Sequence, residues 1–342
     1  MFYKKLLQKS KIHILITILL NIMMKLNIKD KKILYNLDID SRQSFSKIGK
    51  KVGLHKDVVA YRVKKLQEKG IIKNFYTVVD ASKLGYMSFR FYFVFQYVTP
   101  EIKKEIIDYF IKNKYTYFVG LIEGMYDLCV IMWVKDIMDF YSFYKKTLKK
   151  FSYYFKEIIF CLYVQLLHYK SSFLLDEIDD RANPLITGGQ KKVDYDEIDF
   201  QILKIISSNA RMPTIKIAEE MNVTTTVVNY RIKKLLKSGV IQGFKVNLDY
   251  LKLGFQNFKV DIYLKEYNDI DQISKYVKSN PHCFYINETA GYADLEIEFY
   301  VENINEIHQI MEDLMIKFPG KIKYYNTYNI WEFIKRQFMP EK

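Results

Sequence analysis

Cysteine is scarce and scattered in this chain. Cys129, Cys161 and Cys283 lie far apart, with no Cys-x-x-Cys pair, which argues against a disulfide framework or a thiolate metal site and fits unpaired, buried thiols in a reducing cytoplasm. The five histidines are equally dispersed. No metal spacing and no pairing of nucleophile with base can be assembled around them, so no metal, cofactor or catalytic residue is expected, and the chain does not read as an enzyme. Long hydrophobic runs are missing too. The apolar stretch from Ile12 to Met24 is too short to span a bilayer, contains His13, Thr17 and Asn21, and leads to no small-residue cleavage site. Residues 1–24 are therefore expected to be an N-terminal extension, either an added amphipathic helix or the product of a start placed upstream of Met23 or Met24, and no membrane partner is expected.

Positive charge, by contrast, is abundant and unevenly placed. The 342 residues carry 53 Lys and Arg against 39 Asp and Glu, a net charge of +14. Residues 29–76 alone hold 13 basic and 5 acidic side chains, and residues 198–245 hold 8 and 3. Almost all the excess thus sits in two windows, as a localised phosphate-binding surface requires and a uniform lysine bias does not. With 49% hydrophobic residues the rest of the chain can bury sizeable cores, and its length alone suggests about two domains of ordinary size.

Within those windows one helix is written twice. His55 to Gly70 (HKDVVAYRVKKLQEKG) and Thr224 to Gly239 (TTTVVNYRIKKLLKSG) lie 169 residues apart. Wound at about 100° per residue, Val59, Val63 and Leu66 form one stripe, as do Val228, Ile232 and Leu235. Tyr61, Lys64 and Lys65, and likewise Tyr230, Lys233 and Lys234, face away from it. Each helix ends at a glycine able to close the last turn in a left-handed conformation. Each follows a residue suited to positive φ, Gly53 or Asn222, as the sharp turn of a helix-turn-helix needs.

Around the first copy, Leu26 to Leu37 and Ser44 to Val52 read as two further helices, with Ser44 as a cap. The run IIKNFYTVVD after Gly70 suits the strand of a wing. Ser88 to Val98 then opens a β-α-β-β-α-β order: a helix from Pro100 to about Lys112, strands at Tyr117 to Ile122 and Asp127 to Val134, a helix from about Asp136 to Lys150, and a strand from Glu157 to Tyr169. That order is ferredoxin-like, with both helices on one face of an antiparallel sheet. Strands this aromatic on both faces call for a second sheet over the other side.

The pattern then repeats. Arg42 matches Arg211, Tyr61-Arg62 matches Tyr230-Arg231, and Lys83-Leu84-Gly85 matches Lys252-Leu253-Gly254, all at one offset, while Gly124-x-x-Asp127 matches Gly291-x-x-Asp294 two residues short of it. The fold expected is α+β, a tandem duplication: an extension (1–24), a winged helix-turn-helix (25–85), a ferredoxin-like domain (86–170), a linker (171–193), a second winged helix-turn-helix (194–254), a second ferredoxin-like domain (255–332) and a tail (333–342).

These residues resemble the Lrp/AsnC, or feast/famine, family of transcription regulators. The resemblance rests on Asp30-x-x-Ile33-Leu34, Arg42, Ile48, the Val59-x-x-Arg62-x-x-x-Leu66-x-x-x-Gly70-x-Ile72 run, Lys83-Leu84-Gly85 and Gly124-x-x-Asp127, repeated from Asp199 to Asp294. It covers residues 25 to about 332. It implies a DNA-binding head and a sensing domain of RAM/ACT type that pairs its sheet with a partner's, with dimers that assemble further. It also implies that small effectors, often amino acids, bind near the glycine-containing loops, here Glu123 to Tyr126 and Ala290 to Ala293, which makes Gly124, Asp127, Gly291 and Asp294 the effector candidates. The chain departs from the family at His55, where Ser or Thr is usual, and in carrying two modules, so that the dimer can form internally as a pseudo-dimer and higher homo-oligomers do not follow automatically.

Comparing the two helices sorts the DNA-binding candidates. Tyr61, Arg62, Lys64 and Lys65 recur as Tyr230, Arg231, Lys233 and Lys234, whereas the first turn and a half differs: His55, Lys56, Asp57 and Ala60 against Thr224, Thr225, Thr226 and Asn229. The N-terminal part of such a helix reaches base edges while basic residues elsewhere hold phosphates. The shared set therefore positions the protein on double-stranded DNA, and the divergent set reads two unlike half-sites, unless it reflects neutral drift on a solvated turn. Asn229 suits adenine, and Asp57 suits cytosine. Arg62 and Arg231, at the edge of the buried stripe, fit an ion pair within the domain as well as a phosphate contact. The reading is a sequence-specific regulator with heads about 34 Å apart or a multiple of that. The alternatives are an architectural protein that coats DNA with little preference and, with no constellation behind it, an enzyme with an amino-acid-binding domain.

In the third strands of the sensing domains, Cys129, Ile131 and Trp133 correspond to Glu296, Glu298 and Tyr300. If these faces pack together the glutamates need cations, and Lys259 is a candidate.

Overall fold

The computed structural model describes residues 26–175, 181, 183–189 and 191–341. The expected extension at 1–24 lies outside them. Among the described residues no helix is long and apolar enough to cross a membrane.

The first head is built from α1 (Ile28–Ile39), α2 (Phe45–Val52), α3 (Lys56–Glu68) and β1 (Ile72–Val79). The second repeats it with α6 (Glu197–Ser207), α7 (Thr214–Met221), α8 (Thr225–Lys237) and β7 (Ile241–Leu248). Ser44 caps α2 by accepting from the Lys47 amide. The turns before α3 and α8 pass through Gly53 at φ 68° and Asn222 at φ 53°, the conformation the sequence calls for at those two places. The stripes Val59, Val63, Leu66 and Val228, Ile232, Leu235 are buried as spaced.

The lone strand of each head does not fold back into a wing of its own. Instead β1 and β7 pair with each other, antiparallel, as a two-stranded sheet between the heads. The exchange is reciprocal. The Ser41 amide donates to the Phe244 carbonyl and the Ala210 amide to that of Phe75. Arg42 reaches the Ala210 carbonyl at 2.6 Å, and Arg211 reaches those of Ser41 and Gln43. One hydrophobic core consequently runs through both heads.

Each sensing domain shows the expected order: β2 (Met87–Phe95), α4 (Pro100–Lys112), β3 (Thr116–Glu123), β4 (Leu128–Val134), α5 (Ile137–Phe151) and β5 (Phe155–His168) in the first, and, after a short strand β6 (Leu185–Thr187), β8 (Gln256–Leu264), α9 (Ile270–Val277), β9 (Cys283–Ala290), β10 (Leu295–Val301), α10 (Ile304–Lys317) and β11 (Ile322–Arg336) in the second. The sheets do more than cover each other. β11 pairs with β3 and β5 pairs with β9, while β5 also pairs with β2, so the eight long strands close into one ring. Closure removes the free edges an open pair of sheets would expose. The helices lie outside on two apolar cores, one centred on Phe91, Phe110 and Phe143 and the other on Ile262, Ile297 and Met311.

Two boundaries differ from the sequence reading. β11 continues to Arg336, so the segment from 333 begins as strand: pairing with β3 carries it past the point where a single domain would end. The 171–193 segment holds β6, which pairs with the end of β5, and Phe173, which is fully buried.

Candidate nucleic-acid interface

The shared edges of the two recognition helices are open to solvent. Tyr61 and Tyr230 are 61% and 65% exposed, and Lys56, Asp57, Lys64, Lys65, Thr225, Thr226, Asn229 and Lys233 are all exposed, with Ala60 half-buried. The helices begin differently. The Thr224 hydroxyl accepts from the Val227 amide at 3.3 Å, whereas His55 makes no capping bond and instead lies 3.2 Å from Asp57, both of them exposed.

The basic residues divide by partner. Arg62 binds Asp30 at 2.8 Å, and Arg231 binds Asp196 at 2.6 Å and Asp199 at 3.3 Å, so both arginines tie the recognition helix to the first helix of its own head. Lys234 joins the second pair, 2.8 Å from the fully buried Asp199, a partner its counterpart Lys65 lacks. Lys65 instead pairs with Glu68 one turn on, at 2.8 Å and in solvent. Lys64 and Lys233 enter no ion pair among the described residues.

The two glycine-containing loops lie together. Tyr126 and Tyr292 hydrogen-bond through their hydroxyls at 2.7 Å, and Tyr292 also donates to Asp261 at 2.6 Å. Gly124 adopts φ 134° against the Tyr328 side chain, whose Cβ lies 3.0 Å from where a Cβ on Gly124 would sit, and Gly291 faces open space. Asp127 accepts from the Phe95 amide and Asp294 from the Leu264 amide, each at 2.8 Å, so each carboxylate fastens its loop to the end of the first strand of its domain.

Inside the ring runs a charged cluster that the sequence only partly revealed. Glu296 is gripped by Arg90 at 2.6 Å and by Lys259 at 2.7 Å, all three buried. The sequence points to Lys259; Arg90, on a strand rich in Phe and Tyr, escapes local reading because its partner lies 206 residues away. Burial opposes the Glu296 charge, but Arg90 and then Lys259 hold its pKa down to about 2. Asp261 goes the other way, pushed up to about 6 by burial and then by Glu296.

A family model described as an AsnC-type helix-turn-helix domain matches residues 26–67, and one described as winged helix-turn-helix DNA-binding matches residues 195–242. Among curated relatives, the HTH-type transcriptional regulator LysM of Sulfurisphaera tokodaii is 30% identical over 123 residues, 35% of this chain and 85% of that protein. LrpB of Bacillus subtilis is 26% identical over 140 residues, 39% and 94% of the two. Each relative accounts for less than half of this chain while being matched over most of its own length, as a duplicated module predicts. Among solved structures, the siroheme decarboxylase NirDL superposes with a TM-score of 0.62 at 13% identity over 91% of this chain and 94% of its own, a likeness of fold that spans both modules.

Proposed function

The chain belongs to the Lrp/AsnC family of helix-turn-helix transcription regulators, and from that we propose that a single chain acts as a pseudo-dimer whose two unlike recognition helices read two unlike half-sites of one operator. DNA binding and transcription regulation follow from the two helix-turn-helix matches and the named relatives. The observation that carries the finer reading is the reciprocal β1–β7 pairing, which builds two heads into one body. In this reading Lys64, Lys65 and Lys233 hold phosphate, Tyr61 and Tyr230 bond to the backbone, and Arg62, Arg231 and Lys234 brace the helices from which they project. Lys56, Asp57 and Ala60 in one head and Thr225, Thr226 and Asn229 in the other face the bases. An amino-acid effector belongs at the paired loops of Gly124 and Gly291, with Asp127 and Asp294 shaping them. The chain works in the cytoplasm, and ring closure supplies internally the pairing that separate subunits would otherwise provide.

Selection from random duplex DNA, with α3 and α8 altered in turn, tests this. Each alteration should change one half of an asymmetric site; a palindromic preference left unchanged by both would overturn it, and equal affinity for selected and random DNA would favour an architectural role. One observation favours a second reading, as an enzyme: the fold match to a siroheme decarboxylase extends over both modules, and the chain encloses a large cavity. Carbon dioxide release on incubation with siroheme would establish that reading, and its absence alongside specific DNA binding would dismiss it.

A further inference from the structure

Between the heads and the ring lies a cavity of about 540 Å³, within the range of sites for small organic ligands. None of Gly124, Asp127, Gly291 and Asp294 lines it. β1 contributes one wall, the inner face of the ring another, and the last residues of β11 a third.

Two features show what would fill it. Arg336 lines the cavity with no carboxylate partner among the described residues. Among the described residues its guanidinium hydrogen-bonds to the Tyr285 hydroxyl alone, at 3.1 Å, and lies over the rings of Tyr76 and Phe338. Arg336 is half-buried, and a partly desolvated cation without a counter-ion favours an anion. His168, nine-tenths buried, packs edge-on against the same Tyr285. Its Nε2 lies 3.1 Å from the Thr187 hydroxyl, and its Nδ1 has no hydrogen-bond partner. Burial, and then Lys245 and Arg336, keep this imidazole neutral, so Nδ1 donates whenever Nε2 accepts from Thr187. Away from this end the walls are aromatic, with Trp133 stacked on Tyr117 at 3.6 Å between ring centres.

The duplication supplies an internal comparison. The cavity residues Tyr86, Tyr117 and Trp133 have Phe255, Phe284 and Tyr300 as their counterparts in the second module. Those three close around Phe173 of the 171–193 segment. The chain's own phenyl ring thus covers the second-module counterparts, of which Tyr300 also lines the cavity, whereas Tyr86, Tyr117 and Trp133 face open space.

We propose that the open space is a binding site for a small aromatic monocarboxylate, its carboxylate on Arg336 and His168 and its ring against the aromatic wall, as the Phe173 ring lies against the corresponding residues of the second module. A macrocycle bearing many carboxylates would need several unpaired cations, and besides half-buried Arg336 only the exposed Lys192 lines the cavity without an ion pair among the described residues. Since β1 forms a wall, filling the cavity also braces the strand that joins the heads; that consequence for DNA affinity rests on the regulator reading, whereas binding itself does not.

The test is calorimetry on the full chain with phenylpyruvate and phenylacetate, with phenylacetamide as the uncharged control and iron-uroporphyrin III as the macrocyclic one. At least one acid should bind with a Kd below about 1 mM, at least tenfold tighter than the amide. Arg336→Gln should weaken it tenfold or more while leaving the far-ultraviolet spectrum intact. No saturation by either acid, equal binding of acid and amide, tighter binding of the macrocycle, or an unaltered Kd in R336Q would each overturn the proposal. The comparison of acid with amide needs no variant, so it stands even if R336Q misfolds. Ligand binding that leaves DNA affinity unchanged would remove only the regulatory consequence.

Discussion

Lys83 donates from Nζ to the carbonyl of Ser238, at 2.8 Å, and so closes the end of the other head's recognition helix. Lys252 does the same for the first head, reaching the Lys69 carbonyl at 3.0 Å. A cation at a helix C-terminus satisfies an orphan carbonyl and opposes the negative end of the helix dipole. The repeated Lys-Leu-Gly thus reads as a pair of reciprocal latches. Each of K83M and K252M should cost about 0.5–1.5 kcal/mol in urea unfolding of the full chain, and the losses should add, because the latches share no partner. A double variant no less stable than either single one would show that they do not act as two separate caps.

Neutralising the exposed lysines should separate two roles that look alike in sequence. K64A and K233A should each weaken binding to every duplex tested and flatten the dependence of log K on log salt by about one unit. K234A should instead lower stability, since it leaves Asp199 with one cation fewer in a buried position. Mobility shifts across a salt series, paired with thermal unfolding, distinguish the two. Identical behaviour of all three variants would contradict the division.

How much of this was legible beforehand follows from the range of the interactions. The recognition helices, their buried stripes and the βαββαβ order are written in spacings of two to four residues, and these the sequence carries plainly. The β1–β7 pairing, the closure of the ring through β5–β9 and β3–β11, and the Arg90–Glu296 bridge join residues far apart in the chain, and no local pattern encodes them. Repetition was the one available signal. Arg42 with Arg211 and Lys83 with Lys252 recur because each reaches into the opposite module, and a polar residue repeated outside the recognition helix could have been read as a contact between copies. The cavity left no such trace, because it arises where the duplication lost its symmetry.

His55 is a weak start to α3. Thr224 caps the equivalent helix, while His55 leaves the amide donors of its first turn without a side-chain acceptor. H55T should stabilise the first head by about 0.5–1 kcal/mol, and the solvent-exposed contact with Asp57 that it removes should offset little of this. Amide hydrogen exchange at residues 57–59 reads the effect locally. Unaltered protection there would mean that packing alone holds the first turn.

The ring interior predicts a pH response from two carboxylates of opposite bias. Asp261 faces Glu296 and accepts from Tyr292, with Lys259 and Arg90 nearby. Its pKa is raised to about 6, so its contribution to stability is complete below about pH 4 and lost as pH rises through about 6. Glu296, held down to about 2, contributes fully above about pH 4.5 and loses that contribution as pH falls toward 2. D261N removes the Asp261 charge and with it the repulsion between the two carboxylates. The new amide costs about 1 kcal/mol where Oδ1 has no hydrogen-bond partner. The variant should therefore be more stable than the parent chain above pH 6, where Asp261 carries its unfavourable charge, and about 1 kcal/mol less stable below pH 4. E296Q should lose about 3–5 kcal/mol at neutral pH, because it leaves Arg90 and Lys259 buried together without their carboxylate. Urea unfolding across this pH range should show the D261N and parent curves crossing between about pH 4 and pH 6; curves that stay parallel throughout would place the titration elsewhere.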